Sequence, residues 1–328
     1  MTVNVAIVVC TYHRPDLLRK CLSGFANQTV PKNAAFSVYV VDNSDDGTAK
    51  PVVDWAVENL NFAVRWVQAH PANISVARNK GIQVSDEPIV AFIDDDQVCQ
   101  PGWFEAVVAG VQQYPADVWF GSVTASFEDG SNSSPEISTL FSRKVPLSDG
   151  APLYALGPHK TPNIALATNN SIFRRATTLT EPEPFNIKFG RTGGEDYELV
   201  CRLQRRDRQL AWLPEANASE FVPHWRTEAS YLRRRFFAGG QHFAAGISGS
   251  GPKSQLRRWI VRGKAAVQLG LMVLQLPIIA MAGKSKQQDF SFRIASVLGK
   301  LSIGGLYEFY GQNHVPSKVN TEIPEQKA

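Results

Sequence analysis

Cysteine is scarce in this chain of 328 residues: there are four, Cys10, Cys21, Cys99 and Cys201, with no C-x-x-C pair among them. Such usage excludes a disulfide-dense secreted scaffold and argues against a cysteine zinc site. Glycine-rich phosphate loops are missing too. Neither G-x-G-x-x-G nor G-x-x-x-x-G-K-[ST] occurs, which disfavours dinucleotide oxidoreductases and P-loop nucleotide hydrolases. No internal repeat is visible, and no basic leader precedes the short apolar run of the opening MTVNVAIVVC. That run reads as a strand rather than a signal peptide, so folding in the cytoplasm is expected. Net charge is small, 34 Lys+Arg against 30 Asp+Glu. A composition 44% hydrophobic and 20% charged belongs to a globular protein and excludes a disordered chain. The length allows one large domain or two modest ones.

The small total hides an uneven distribution. Residues 1–187 carry 13 basic and 19 acidic side chains, and residues 188–264 carry 15 and 7. A basic block behind an acidic one fits phosphates, nucleic acid or an anionic membrane, or is a solvated arginine-rich surface.

Three short apolar runs, residues 5–10, 36–41 and 88–93, each stop at polar residues: Thr11 to Arg14, Asp42 to Gly47, and Asp94 to Gln97. Near-continuous β-branched apolarity marks strands covered on both faces, as in parallel sheets. Helical stretches at 15–27, 49–60 and 75–84 lie between them, predicting βαβ units with right-handed crossovers. In an open parallel sheet, ligands bind beyond the carboxyl ends of the strands, so all three polar clusters are expected to line one crevice.

Beyond Gln113 the pattern loosens. Residues 121–165, rich in Ser, Gly and Pro, read as a long excursion such as a lid or acceptor loop. Residues 195–208 read as an amphipathic helix and 210–214 as a short strand. Residues 265–283 carry no charge and lie between Arg257, Arg258, Arg262 and Lys264 on one side and Lys284 and Lys286 on the other. Their length just approaches the ~20 apolar residues that a bilayer crossing needs. Gln268, Gln275 and Pro277 lower the hydropathy. Basic flanks favour an in-plane anchor on anionic lipid, with a buried or dimerising helix and a true span as the other readings.

Asp94, Asp95 and Asp96 are the sharpest chemical feature, since three carboxylates at a buried strand end repel one another unless a cation is near. A hard divalent ion, Mg2+ or Mn2+, takes such oxygens and shares them with substrate phosphates. In an extended segment Asp94 and Asp96 point one way and Asp95 the other. Asp96, with or without Asp95, is thereby assigned to the metal, and Asp94 to a sugar hydroxyl or the ion's outer shell. A solvated acidic loop is the competing reading. Asp42 is placed to accept hydrogen bonds from a base or ribose, although Asp and Asn before Gly also build turns. Thr11 and Arg14 are placed for the same nucleotide, and Arg78 for its phosphates.

Together these segments resemble glycosyltransferase family 2, inverting nucleotide-sugar transferases of the GT-A fold. The resemblance lies in V-x-I-V-V-C-T-Y-H-R-P at the first strand, V-V-D-N-S-x-D-G-T at the second, A-R-N-x-G at 77–81 and F-I-D-D-D at 92–96. It continues through T-N-N-S-I-F-R-R at 168–175 and Gly193-Gly194-Glu195-Asp196, and within the family is greatest to bacterial exopolysaccharide glucosyltransferases of succinoglycan-type assembly. It implies an α/β fold with a Rossmann-like, mixed but mostly parallel sheet over residues 1–245. Residues 1–113 would form the nucleotide-binding half and 114–245 the acceptor half, with 246–328 as a helical, membrane-associating extension. It further implies that Thr11, Tyr12, Arg14, Asp42, Arg78, Asp94 and Asp95 surround a UDP-sugar and that Asp96 binds the metal. His224, read from its own chemistry, is a further metal ligand or a diphosphate contact, because such sites tolerate a nitrogen, or is packed beside Trp225. Asp196 would be the catalytic base, with Glu195, Gly194, Asn169 and Asn170 on the acceptor side. A helix start also favours Glu195 and Asp196 through its dipole alone.

The Q-x-x-R-W motif of processive synthases is absent after Asp196, so one sugar per binding event is expected. Arg233, Arg234 and Arg235 among Tyr231, Phe236 and Phe237 are read as a grip on a membrane or a polyprenyl diphosphate, not on nucleic acid, because no RNA-binding signature accompanies them. The expected partners are a UDP-sugar, first UDP-glucose, and a saccharide or lipid-linked saccharide, at the cytoplasmic face of the inner membrane. A nucleotidyltransferase acting on sugar phosphates and a non-catalytic nucleotide-sugar-binding subunit are the alternatives. Oligomeric state is left open.

Overall fold

Side-chain alternation in the first apolar run assigns each residue to a layer. Val5, Ile7 and Val9 face one side and Ala6 and Val8 the other, and all five are wholly buried. The computed structural model describes residues 2–128, 135–249 and 252–308. Residues 129–134 of the Ser/Gly/Pro-rich stretch and 309–328 of the C-terminal extension lie outside it. In chain order the elements are β1 (Val3–Thr11), α1 (Pro15–Ala26), β2 (Ala34–Asp42), α2 (Lys50–Asn59), β3 (Ala63–Gln68), α3 (Ile74–Gln83), β4 (Ile89–Asp94), β5 (Gln97–Cys99) and α4 (Trp103–Gln113). Next come β6 (Val118–Phe127), α5 (Pro135–Phe141), β7 (Pro152–Leu153), β8 (Ser171–Arg174), α6 (Arg175–Thr178), α7 (Glu195–Gln204) and β9 (Leu210–Val222). Three long helices follow: α8 (Ala229–Ser248), α9 (Ser254–Ala280) and α10 (Lys284–Leu301).

The strands form one sheet in the order β3-β2-β1-β4-β8-β6-β9-β5, with β7 also on β9. Pairs β1–β2, β1–β4, β2–β3 and β6–β9 are parallel, while β8 runs antiparallel between β4 and β6. On one face Val5, Ile7 and Val9 pack with Leu18, Leu22 and Phe25 of α1 and with Trp103 and Phe104 of α4. On the other, Ala6 and Val8 meet Ala77 and Ile82 of α3 and Leu199, Val200 and Leu203 of α7. Burial of this kind, at ~25 cal/mol per Å² of apolar surface, is what holds the layers together.

Register sets the site. Thr11 lies opposite Asp42, Asp42 opposite Gln68, and Cys10 opposite Asp94, so the parallel strands finish at one level. The aspartate trio is not the continuous extended segment expected from its sequence. Asp94 ends β4, Asp95 and Asp96 form a turn, and β5 leaves antiparallel to β9 with Gln97 opposite Glu220. The Phe221 N–H donates to the Asp96 carbonyl at 2.8 Å and fixes that turn.

The second half holds more sheet than its sequence reveals. β6 falls where the pattern loosens, and β9 runs on past Pro214 to Val222, its register on β6 shifting between Gly121 and Val123. α7 stops at Gln204, and Asp207 in the turn beyond it has φ 59°. α8 straddles the boundary expected at residue 245. Phe243 stacks on Tyr197 of α7 at 5.9 Å, and a Cβ on Gly240 or Gly299 would collide with the Ser296 or Phe237 carbonyl respectively. The α8 and α10 backbones touch there.

Candidate active site

β1 delivers Thr11 to the aspartate turn, where its Oγ1 donates to Asp95 Oδ2 at 2.8 Å. Arg14, just before α1, reaches Asp95 Oδ1 at 3.1 Å and Asp96 Oδ2 at 3.5 Å. Burial pushes the Asp95 carboxyl up while Arg14 draws it down. Tyr12 stands exposed with its ring edge-on to His13.

Asp42, expected as a nucleoside ligand, is wholly buried, and both oxygens are engaged: Oδ1 accepts from the Ser44 N–H and Oγ, Oδ2 from the Ala49 N–H and Trp66 Nε1. The carboxylate holds the turn after β2. Asn43, next in the chain, donates to the Ala69 carbonyl and accepts from the Asn73 N–H. Asn73 in turn caps α3, accepting from the Ser75 and Val76 N–H groups, and so aims Arg78.

Arg78 links the two acidic clusters. Its Nη1 donates to Glu195 Oε1 at the start of α7, and its Nη2 lies 3.9 Å from Asp94 Oδ1 at the end of β4. Burial opposes the Arg78 charge, but Glu195, Asp94 and Asp196 together raise its pKa. Burial also pushes Glu195 up to about 7, against the pull of Arg78, and Asp94 to about 7, with Asp96 and Glu220 adding to the effect. Glu195 Oε2 is buried without a hydrogen-bond partner among the described residues. The approach to α7 is glycine by necessity: Gly193 and Gly194 have φ of 87° and 88°. His242 of α8 lies against Gly194, its Nε2 buried and unpartnered. Asp196, next to Glu195, accepts the Tyr197 N–H through Oδ1.

Four residues that the sequence did not assign complete the arrangement: Glu220, Arg226, Arg143 and His242. Glu220 sits on β9 opposite Gln97, and Arg226, not His224, reaches the turn, 3.3 Å from Asp96 Oδ2 and 3.8 Å from Glu220 Oε1. The His224 side chain is exposed, and its backbone N–H bonds Glu128. Asn169 donates to Glu220 Oε2 at 3.2 Å. Arg143 donates to the carbonyls of Gly121, Ala167, Asn169 and Asn170. Asn170, expected on the acceptor side, is fully buried with φ 49°. Its amide donates to the Ser122 and Ala216 carbonyls and accepts from Trp103 Nε1. Those bonds shape the loop. Strand pairing across 120 residues assembles this side, and no local motif signals it.

The carboxylates fit a hard divalent cation. Asp94 accepts no side-chain hydrogen bond among the described residues, and its side chain is 39% exposed. Asp96 and Glu220 stand close enough to raise its pKa. Among the described residues no three His, Cys, Asp or Glu side chains are grouped so as to hold a metal ion by themselves. An ion sharing one or two carboxylates with a diphosphate suits such a set.

Glycosyl transferase family 2 matches residues 6–178, more than half of the chain. Succinoglycan biosynthesis protein ExoM of Rhizobium meliloti (strain 1021) is 28% identical over 240 residues, 73% of this chain and 74% of its own. Among solved structures, mannosyltransferase PcManGT from Pyrobaculum calidifontis, in complex with GDP-Man and Mn2+, matches with a TM-score of 0.56 at 18% identity over 92% of this chain and 86% of that one. S. aureus TarS 1-349 in complex with UDP matches with a TM-score of 0.53 at 16% identity, covering 79% and 69%. The present chain spans 42% of a longer TarS structure. Both neighbours share the fold: a mixed sheet flanked by helices, of GT-A type.

Proposed function

The chain belongs to glycosyl transferase family 2 and is a glycosyltransferase of the exopolysaccharide type, and from that premise we propose that it moves one sugar, first glucose, from a UDP-sugar to a saccharide or lipid-linked saccharide with inversion. The observation that carries this is the Arg78 bridge: one guanidinium faces Asp94 at the donor end of the sheet and Glu195 at the start of α7. This supports reading the two acidic clusters as one reaction centre. TarS is described with UDP and with UDP-GlcNAc, and PcManGT with GDP-Man and Mn2+, which supports a nucleotide-sugar donor here.

In this reading the acceptor hydroxyl oxygen attacks the anomeric carbon as the bond to the diphosphate oxygen breaks. Asp196 takes the hydroxyl proton. Glu195, held by Arg78, orients the acceptor across the Gly193-Gly194 turn. Thr11, Arg14 and Asp95 form the floor under the nucleotide, and Asp94 meets the ribose or sugar. Asp96, with Asp94 beside it, would hold Mg2+ or Mn2+, which supplies charge neutralisation for the departing diphosphate. The reaction takes place at the cytoplasmic face of an anionic membrane.

A panel of nucleotide sugars with Mg2+ or Mn2+, read as release of nucleoside diphosphate, tests the proposal. UDP-glucose should be hydrolysed or transferred, and Asp96→Ala should abolish both. Release of pyrophosphate from a nucleoside triphosphate and a sugar phosphate would establish a nucleotidyltransferase instead, and a product retaining the donor's anomeric configuration would refute single displacement.

A further inference from the structure

Among the described residues the outward face of α9 is apolar and uncovered. Leu256, Ile260, Val267, Leu271, Leu274 and Ile278 recur at helical spacing along one side, each between 48% and 75% exposed. Gly263 and Gly270 lie on the same side, and a Cβ built on either meets nothing within 4 Å. The opposite side is covered, with Ala265 and Met272 packed on Phe290 and Val297 of α10. At 1.5 Å per residue the stripe is ~33 Å long. Trp259, 65% exposed, flanks it, as does Lys264. Residues 249–308 hold nine Lys and Arg against two acids, Asp289 and Glu308.

We propose that α9 docks in the plane of an anionic lipid surface, its stripe immersed and its basic neighbours at the headgroups. This deepens the membrane part of the proposed function and rests on it, but not on which sugar is moved. α9 is long and apolar enough to cross a bilayer. Crossing needs an apolar surface all round, however, and one side of α9 is bound to α10. Packing of Phe290 against Met272 and Ile279 brings the start of α10, with Lys284, Lys286 and Asp289, to the C-terminal end of α9. Insertion of that end would drag three charges into hydrocarbon. A second copy fits less well. Parallel pairing of two α9 helices sets Arg257 and Arg258 against their equals, and antiparallel pairing sets them against Lys284 and Lys286. Anionic lipid attracts all of these groups.

Flotation of the full chain with phosphatidylcholine vesicles, with and without phosphatidylglycerol, tests the assignment. The chain should float with anionic vesicles, be released by alkaline carbonate, and float far less with neutral ones. Val267→Glu/Leu271→Glu/Leu274→Glu should cut flotation about tenfold or more while leaving the thermal melt and donor hydrolysis unchanged. Lys264→Gln/Lys284→Gln/Lys286→Gln, which alters exposed side chains only, should remove the preference for anionic lipid. Retained flotation of the glutamate variant overturns the proposal. So does resistance to carbonate, which means a span, or a vesicle-indifferent dimer that the glutamates dissociate, which means a second copy. Flotation as expected from a chain that hydrolyses no nucleotide sugar would overturn the transfer reading and leave the dock standing.

Discussion

Around the strand ends, six carboxylates (Asp94, Asp95, Asp96, Glu195, Asp196 and Glu220) are interleaved with Arg14, Arg78, Arg143 and Arg226, mostly out of water and set charge against charge. α9 and its turn into α10 do the reverse: leucines face solvent, and basic residues have almost no acid beside them. In the first region a charge has value only with its partner, because a buried ion left alone costs several kcal/mol. In the second, the exposed side chains of Leu256, Leu271 and Leu274 belong to no buried cluster among the described residues. Substitutions should therefore disturb chemistry or folding in the crevice, and only attachment on the helical layer.

The largest effect expected is on turnover. Asp196→Asn keeps an oxygen to accept the Tyr197 N–H, so the fold should hold while transfer falls about 10³-fold through loss of the base. Steady-state release of UDP, beside an unchanged melt, checks both halves. The glutamate stripe variant on a soluble acceptor should show neither loss. A crevice variant and a stripe variant with equal losses would break the contrast.

Next comes Arg143→Met. The guanidinium is buried among four carbonyls, and burial lowers its pKa to about 10. Its removal leaves those oxygens unsatisfied and loosens Asn169 under Glu220. Urea unfolding should register a loss of about 3 kcal/mol.

The crevice at the strand ends was readable because it is local. Each short apolar run ends where its strand ends, and parallel pairing brings the ends level, so Thr11, Arg14, Arg78 and the aspartates could be grouped before any coordinates. The backbone bonds of Asp42 and Asn170 were not readable, because an acid or amide in a turn looks the same whether it faces a ligand or its own backbone. Glu220 and Arg226 were illegible for another reason. They meet Asp96 only through β5–β9 pairing, and a strand interrupted by Pro214, Glu215 and Asn217 carries no periodic signal. The stripe on α9 was visible as an uncharged run, but which side remains bare depends on where α10 lies.

Gly299→Val tests the joint between the two regions. The added side chain meets the Phe237 carbonyl, and forcing α8 and α10 apart should cost about 2 kcal/mol. If the helical layer only attaches the enzyme, donor hydrolysis should survive while vesicle flotation weakens.

The smallest expected effect is on pH dependence, and its sign follows from Glu195. Burial raises its folded pKa from 4.5 to about 7, so its contribution is fully present below 4.5 and is lost as pH rises through 7. Asp94, raised by burial from 3.8 to about 7, acts in the same sense. Two other groups act in the opposite sense. Glu181 is held low by Arg206 and Arg202 despite its partial burial and matters only near and below 4.5. His242, lowered by burial from 6.5, costs stability as pH falls below that value. The informative interval is thus from pH 6.5 to just above 7, where the ligand-free chain should melt a little lower at each step before the slope fades. Glu195→Gln should reduce that slope by removing one of the two ionisations and leave the part due to Asp94, whereas the lysine-to-glutamine variant of the helical layer should leave all of it. An unchanged slope in Glu195→Gln would place the titrating group elsewhere in the crevice.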